Sequence, residues 1–263
     1  MLPQATGNHS ERCGASAMRI DFNPGALALA AMILCAGAGD AASADTSDKP
    51  PETLAIDVGV SGSSLQSLYG YFGALYAPSG NLDQSGFRVR LGSVDGQFSY
   101  PQAETGTRIY GVGAEASFLA GYSFNKDNSS LLLMLGPDVA NISLSPADPT
   151  NPAQSTGFGA KALMEFYSNP TPNTKIDFEV GYSTIFDSYY VRLDPGYAAF
   201  GKDIFVGPQL VFLGNDQFQQ WRLGAEVAGF KLGRAELGVT AGYLRDREQG
   251  GGAYAGLDLY VRY

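Results

Sequence analysis

The side chains in this chain that could do chemistry are its charged ones, and they recur at alternate positions. Asp57, Arg88, Arg90, Glu115, Lys161, Glu165, Asp177, Glu179, Arg192, Arg222, Glu226, Glu236, Asp258 and Arg262 sit in runs whose intervening positions are largely apolar. Acids and bases are interleaved. Gathered on one surface, they could line a selectivity filter or a sugar path, or pair into an ionic filling. Asp177 and Glu179 could in principle act as the two carboxylates of a glycosidase. Residues two apart on a strand are simply neighbours on one face, so that spacing is nonspecific. Gly111-Val112-Gly113 resembles a fragment of a nucleotide loop, but no helix follows it.

Other chemistries are limited by residue content. His9, Cys13 and Cys35 are the sole histidine and cysteines, and all precede residue 45. Residues 1–44 read as a leader and signal peptide: a start at Met18, a positive Arg19, an apolar stretch from Ala26 to Ala36, then Ala42-Ser43-Ala44 as a small-x-small cleavage site. Cys35 is a poor lipoprotein cysteine, because Met32-Ile33-Leu34 lacks the small residues such a site needs. Cleavage after Ala44 would leave no thiol and no imidazole, hence no disulfide, no triad and no His/Cys metal site. The expectation is a protein that is not an enzyme and holds no metal or cofactor. A net charge of −9 argues against nucleic acid as a partner.

The elements that must position these charges have a period of two. From Gly252 to the last residue, Ala253, Ala255, Leu257, Leu259, Val261 and Tyr263 alternate with Tyr254, Gly256, Asp258, Tyr260 and Arg262. One set is apolar and the other polar, small or amphipathic. About twelve such segments follow one another from Leu54 onward. Charged residues make up 16% of the chain, with 34 Gly, 15 Tyr and 15 Phe, and the mean hydropathy is −0.07. That composition suits strands facing lipid on one side and a polar lumen on the other. A soluble β-sandwich would carry a polar outward face, whereas here the face opposite the charges is continuously apolar. The expected fold is all-β: a single antiparallel up-and-down transmembrane β-barrel over 54–263, after a periplasmic lead-in at 45–53.

The connections support this reading. The turns near 125–129, 168–173, 201–203 and 231–233 are short. The stretches near 101–108, 143–156 and 246–252 are longer, as outer loops of such barrels are. Ser143 to Thr156 carries three prolines and is expected to leave the sheet. Pro137 predicts a bulge or a strand end within Leu131–Ile142. Tyr76, Phe166, Tyr182, Tyr197, Trp221, Tyr243 and Tyr263 fall near strand ends, as in an interfacial aromatic girdle.

Four stretches go beyond generic alternation: SLYGYFGALYAPSGNLDQSGFRVRLGS (67–93), LSPADPTNP (144–152), YSTIFDSYYVR (182–192) and VGPQLVFLGNDQFQQWRLGAEV (206–227). Together they resemble the cellulose biosynthesis protein BcsS family of Gram-negative bacteria. The resemblance implies an exported outer-membrane barrel that assists cellulose biosynthesis or secretion, and so exopolysaccharide and biofilm formation. Its partners would be outer-membrane lipid, the barrel-assembly machinery, and the cellulose synthase complex or a glucan chain. The resemblance supplies no site residues. A general small porin or a surface-adhesion barrel is the other reading of the same pattern.

Overall fold

The computed structural model describes residues 51–201 and 203–263. The expected leader and signal peptide, and the expected lead-in up to residue 50, lie outside the described residues. Twelve strands follow in order: β1 (Leu54–Ser63), β2 (Ser67–Tyr76), β3 (Gly86–Pro101), β4 (Arg108–Lys126), β5 (Ser129–Ser145), β6 (Thr156–Thr171), β7 (Thr174–Ser183), β8 (Ser188–Ala198), β9 (Phe205–Gly214), β10 (Gln219–Leu232), β11 (Ala235–Asp246) and β12 (Gly250–Arg262). Each pairs antiparallel with the next, and β1 pairs with β12, so the sheet closes on itself. The seam runs from Ala55↔Arg262 to Ser63↔Tyr254. Tyr263 finishes it, donating its amide to Leu54 O at 2.8 Å and accepting from Leu54 N at 3.0 Å. No strand is left with an unpaired edge, which is what a sheet surrounded by hydrocarbon requires.

The pleat sorts the side chains. On β12, Leu257 is 47% exposed on the outer wall while Asp258 points inward to Tyr71. Leu259 and Val261 share the outward parity of Leu257, though both are buried. Leu91, Phe118, Leu135, Leu223 and Val239 continue the exposed apolar band around the barrel. Aromatic rings lie toward both ends of this band: Tyr76, Tyr122 and Tyr197 at one, Tyr182, Trp221 and Tyr243 at the other.

Two expectations are corrected. Pro137 neither bulges nor ends its strand. β5 runs through it and pairs Pro137 with Ala160 of β6. The β4 ladder instead opens between Ser117↔Asp138 and Ala120↔Leu135, then resumes in the same register. The imino residue lacks a donor, and a gap of two residue pairs in the ladder tolerates that lack. Gly136 allows the close approach there, since a Cβ would lie 2.0 Å from Phe118 O. A second gap, of three pairs between Leu193↔Leu210 and Tyr197↔Val206, accompanies Pro195 and Pro208. The irregular stretch expected at 143–156 is also shorter, because β5 continues to Ser145 and leaves 146–155 outside the sheet.

The ends of the barrel differ. The terminal end, where β1 begins and β12 ends, has two-residue turns at 127–128, 172–173 and 233–234. It also has a nine-residue connection, 77–85, which breaks the expected pattern of short turns. The opposite end carries 102–107 and the longest connection, 146–155. We call the end with the longest connection the outer mouth and the other the terminal mouth, after the loop asymmetry such barrels show.

Candidate functional site

The lumen is built from the inward parity of all twelve strands. Its middle is braced by ion pairs, four of them between strands that are not adjacent and those of Arg192 within β8 or to its neighbour β7. Arg90 of β3 reaches Asp57 of β1 at 2.9 Å and Glu165 of β6 at 2.8 Å. Lys175 of β7 meets Glu226 of β10 at 2.9 Å. Lys161 of β6 pairs with Glu115 of β4. Arg192 of β8 gathers Asp177 at 3.7 Å, Glu179 at 3.3 Å and Asp194 at 3.2 Å. Tyr71 of β2 donates to Asp258 of β12 at 2.8 Å. These side chains keep between 2% and 32% exposure, so the braces cross an interior that water still enters. Carboxylates outnumber cations along this wall.

The braces are interleaved with an apolar patch, Leu75 and Leu119 standing opposite Arg90 and Leu132 opposite Glu165. Leu119, Leu132, Met134 and Leu163 pack together inside the barrel, with Leu75 against them. Above the ionic layer lies a more neutral one. Arg222 donates to Gln220 Oε1 at 2.7 Å and Ser61 Oγ at 3.0 Å, and its guanidinium sits 5.4 Å from the centre of the Tyr254 ring. Tyr254 in turn donates to Gln209 Oε1 at 3.1 Å.

The two mouths are organised by loops. At the terminal end, 77–85 folds inward. Ala77 and Leu82 are buried with Ala55, again against Leu75. Arg88, 1% exposed, holds the fold by donating to Asn81 O at 3.2 Å, Leu82 O at 3.1 Å, Gln84 O and Phe87 O. Arg262 clasps the same segment from β12, reaching Asp83 at 2.6 Å and Glu52 at 2.8 Å. At the outer mouth, Asp148 is buried and accepts from Thr150 Oγ1 at 2.7 Å, Tyr100 OH at 2.9 Å and Gln102 Nε2 at 2.9 Å. These donors, Thr150 foremost, hold the Asp148 carboxyl below the ordinary carboxylate range.

The residues singled out in sequence are therefore placed in three settings. Asp57, Arg90, Glu115, Lys161, Glu165, Asp177, Glu179, Arg192, Glu226 and Asp258 come together in the central network. Arg88, Arg222 and Arg262 do not join it: the first binds main-chain carbonyls, the second amide, hydroxyl and ring groups, and the third the terminal mouth. Glu236 is exposed and has no ion-pair partner among the described residues. Lys175, Asp194, Asp138 and Asp246 also face inward and were not singled out. Lys175 and Asp194 lie two residues from Asp177 and Arg192, so parity could have found them; Asp138 sits in a strand apolar on both faces and Asp246 at a strand end, where the alternation gives no such lead. Among the described residues, no cluster of three or more His, Cys, Asp or Glu is arranged to hold a metal ion.

The profile of the family described as cellulose biosynthesis protein BcsS matches residues 60–263. Among solved structures, the KdgM porin is 11% identical, with 80% of this chain and 99% of that chain covered and a TM-score of 0.47. The Acinetobacter baumannii outer membrane protein Omp33 is 13% identical, with 82% and 100% covered and a TM-score of 0.40. The transport unit of the Escherichia coli autotransporter AIDA-I is 9% identical, with 91% and 98% covered and a TM-score of 0.40. No curated protein matches the chain. At these identities the structural likeness concerns the barrel alone.

Proposed function

The chain belongs to the cellulose biosynthesis protein BcsS family, and on that premise we propose that it is a non-enzymatic outer-membrane barrel assisting bacterial cellulose synthesis or secretion. The family match over 60–263 is the observation that carries this reading. The closed barrel and its exposed apolar band support a place in the outer membrane, reached through the signal segment and the barrel-assembly machinery.

The lumen favours a scaffold over a glucan conduit. A polysaccharide threading the bore would have to displace the Asp57–Arg90–Glu165 and Lys175–Glu226 braces, which tie strands across the lumen. Removing one partner of such a pair leaves the other charge uncompensated. The non-enzymatic reading has similar support. Asp177 and Glu179, the carboxylate pair that could suggest glycoside hydrolysis, are both engaged in ion pairs with Arg192 across the β7–β8 ladder.

Deleting the gene and measuring cellulose output tests the role. Reduced cellulose, restored by the wild-type gene, is expected; unchanged cellulose and biofilm matrix would sink it. A small porin is the second reading, favoured by the residual exposure of the lumen side chains. Planar-bilayer recordings of the refolded barrel separate the two: a steady open conductance supports a porin, and its absence supports a braced scaffold.

A further inference from the structure

The outer wall carries a basic and aromatic notch that neither the family nor the lumen accounts for. It measures about 250 Å³ and is lined by Tyr189, Phe212, Gln219, Gln220, Trp221, Arg245 and Arg247. The register explains how these residues meet. Trp221 sits opposite Phe212 on one side and Arg245 on the other, all with outward parity. Arg247 follows two residues on, its amide bonded to Gln219 O at 2.9 Å. The site therefore lies at the outer-mouth end of β8 to β11, just above the apolar band.

Its charge is unusual for a wall facing lipid. Arg245 and Arg247 are both exposed, and neither side chain makes a hydrogen bond or an ion pair within the described residues. Asp246 between them turns away: it is 2% exposed and accepts from Glu248 N at 2.8 Å and Gln249 N at 2.9 Å. Glu248, in the same loop, is attracted by Arg247, while burial foremost and then Asp246 hold its carboxyl above the ordinary range. Below the cations, Trp221 is 38% and Phe212 49% exposed, and Trp221 packs against Tyr243 with ring centroids 5.7 Å apart.

We propose that this notch binds the phosphorylated sugar headgroup of an outer-leaflet glycolipid, with Arg245 and Arg247 on phosphate and the rings of Trp221 and Phe212 against sugar and acyl chain. Guanidinium groups suit phosphate because their paired donors match its oxygens. Gln219, exposed and of the same parity as Trp221, adds donors and acceptors suited to sugar hydroxyls, whereas the Gln220 side chain turns into the lumen to Arg222. Aromatic rings at this depth straddle the boundary between chains and headgroups. A neutral glucan would use the rings and amides but leave both cations unmatched. A free phosphate would use the cations but leave the rings unmatched.

The test uses the full barrel refolded in detergent micelles, with binding followed by native mass spectrometry. Four probes are compared: an acylated glucosamine disaccharide bearing two phosphates, the same glycolipid without phosphates, inorganic phosphate, and a cello-oligosaccharide. The phosphorylated glycolipid is expected to bind, and Arg245→Gln with Arg247→Gln to weaken it about tenfold or more. Heat-modifiable migration of that double variant checks that its barrel is intact. Arg245→Lys with Arg247→Lys should retain part of the affinity, because charge persists while paired donation is lost. Equal binding by wild type and the glutamine variant overturns the proposal. So does equal binding of the dephosphorylated glycolipid, or binding of inorganic phosphate or cello-oligosaccharide in preference to the phosphorylated glycolipid. None of these outcomes depends on the role in cellulose production.

Discussion

Arg88 and Arg90 are two residues apart on β3, point the same way and are surrounded by different chemistry. Arg90 stands in the middle of the bore and is held by carboxylates from β1 and β6. Arg88 stands at the terminal mouth and is held by the carbonyls of a folded loop. One is a brace between strands and the other a rivet through a turn. The same residue type on the same face thus serves either the barrel's wall or its closure, according to what surrounds it at that height. A charge needs opposite charge where water is scarce. Near a mouth, main-chain dipoles and water can share the task.

The contrast breaks most directly at Arg90. Arg90→Leu leaves Asp57 and Glu165 facing each other without a cation. A loss of about 3 kcal/mol is expected, at the lower end for a broken buried pair because these side chains are 15–30% exposed. Urea unfolding of the barrel from lipid vesicles, followed by the single tryptophan, measures it. Adding Asp57→Asn and Glu165→Gln to that variant should recover more than half of the loss. If the triple variant is no better than Arg90→Leu, the brace is not electrostatic.

Arg88→Leu should cost less, about 1–2 kcal/mol, because the released carbonyls can turn to water at the mouth. Its effect should also be local. Proteolysis from the terminal side should cut within 77–85 in Arg88→Leu and spare that segment in Arg90→Leu. Equal global destabilisation by the two variants would erase the distinction. Smaller still is Arg262→Gln. Asp83 is 68% exposed, Arg262 30% and Glu52 17%, so the clasp is partly screened, and about 1 kcal/mol or less is expected. Its contribution should fade by 1 M salt, while the Arg90 effect persists.

These differences mark what the sequence could disclose. Alternation was legible because a charge on the lipid wall is strongly disfavoured, so the pleat and the facing of Leu257 against Asp258 follow from residue type alone. Strand count and the closing pair of β1 with β12 follow from the same pattern. Partners were not legible. Lys175 reaches Glu226 three strands away, a contact fixed by barrel radius and stagger that no local spacing encodes. Arg88 and Arg90 sit in the same Arg-Val-Arg triplet, and nothing in that triplet distinguishes brace from rivet. The inward fold of 77–85 was hidden too: its turn residues were evident, but Ala77 and Leu82 become core only once Leu75 and Ala55 lie beneath them.

The outer mouth extends the comparison and carries the smallest effect. There a carboxylate, Asp148, plays the part that Arg88 plays at the terminal mouth: one buried charge pins a loop through neutral partners. Its carboxyl is held below the ordinary range near about 3.9 by the hydroxyl of Thr150 and the donors from Tyr100 and Gln102. A lowered folded value means that ionised Asp148 favours the folded loop. That contribution is fully present above the ordinary range and is lost as pH falls through the depressed value. Loop 146–155 should therefore stay protected from hydrogen exchange from neutral pH down to about pH 4 and open below it. Asp148→Asn should leave it partly open throughout and remove the pH dependence, with no change in the unfolding of the barrel. Arg88 cannot titrate in this way, since a guanidinium stays charged across that range. An acid-induced opening at 77–85 as steep as that at 146–155 would mean that the two mouths are not closed by the separate devices described above.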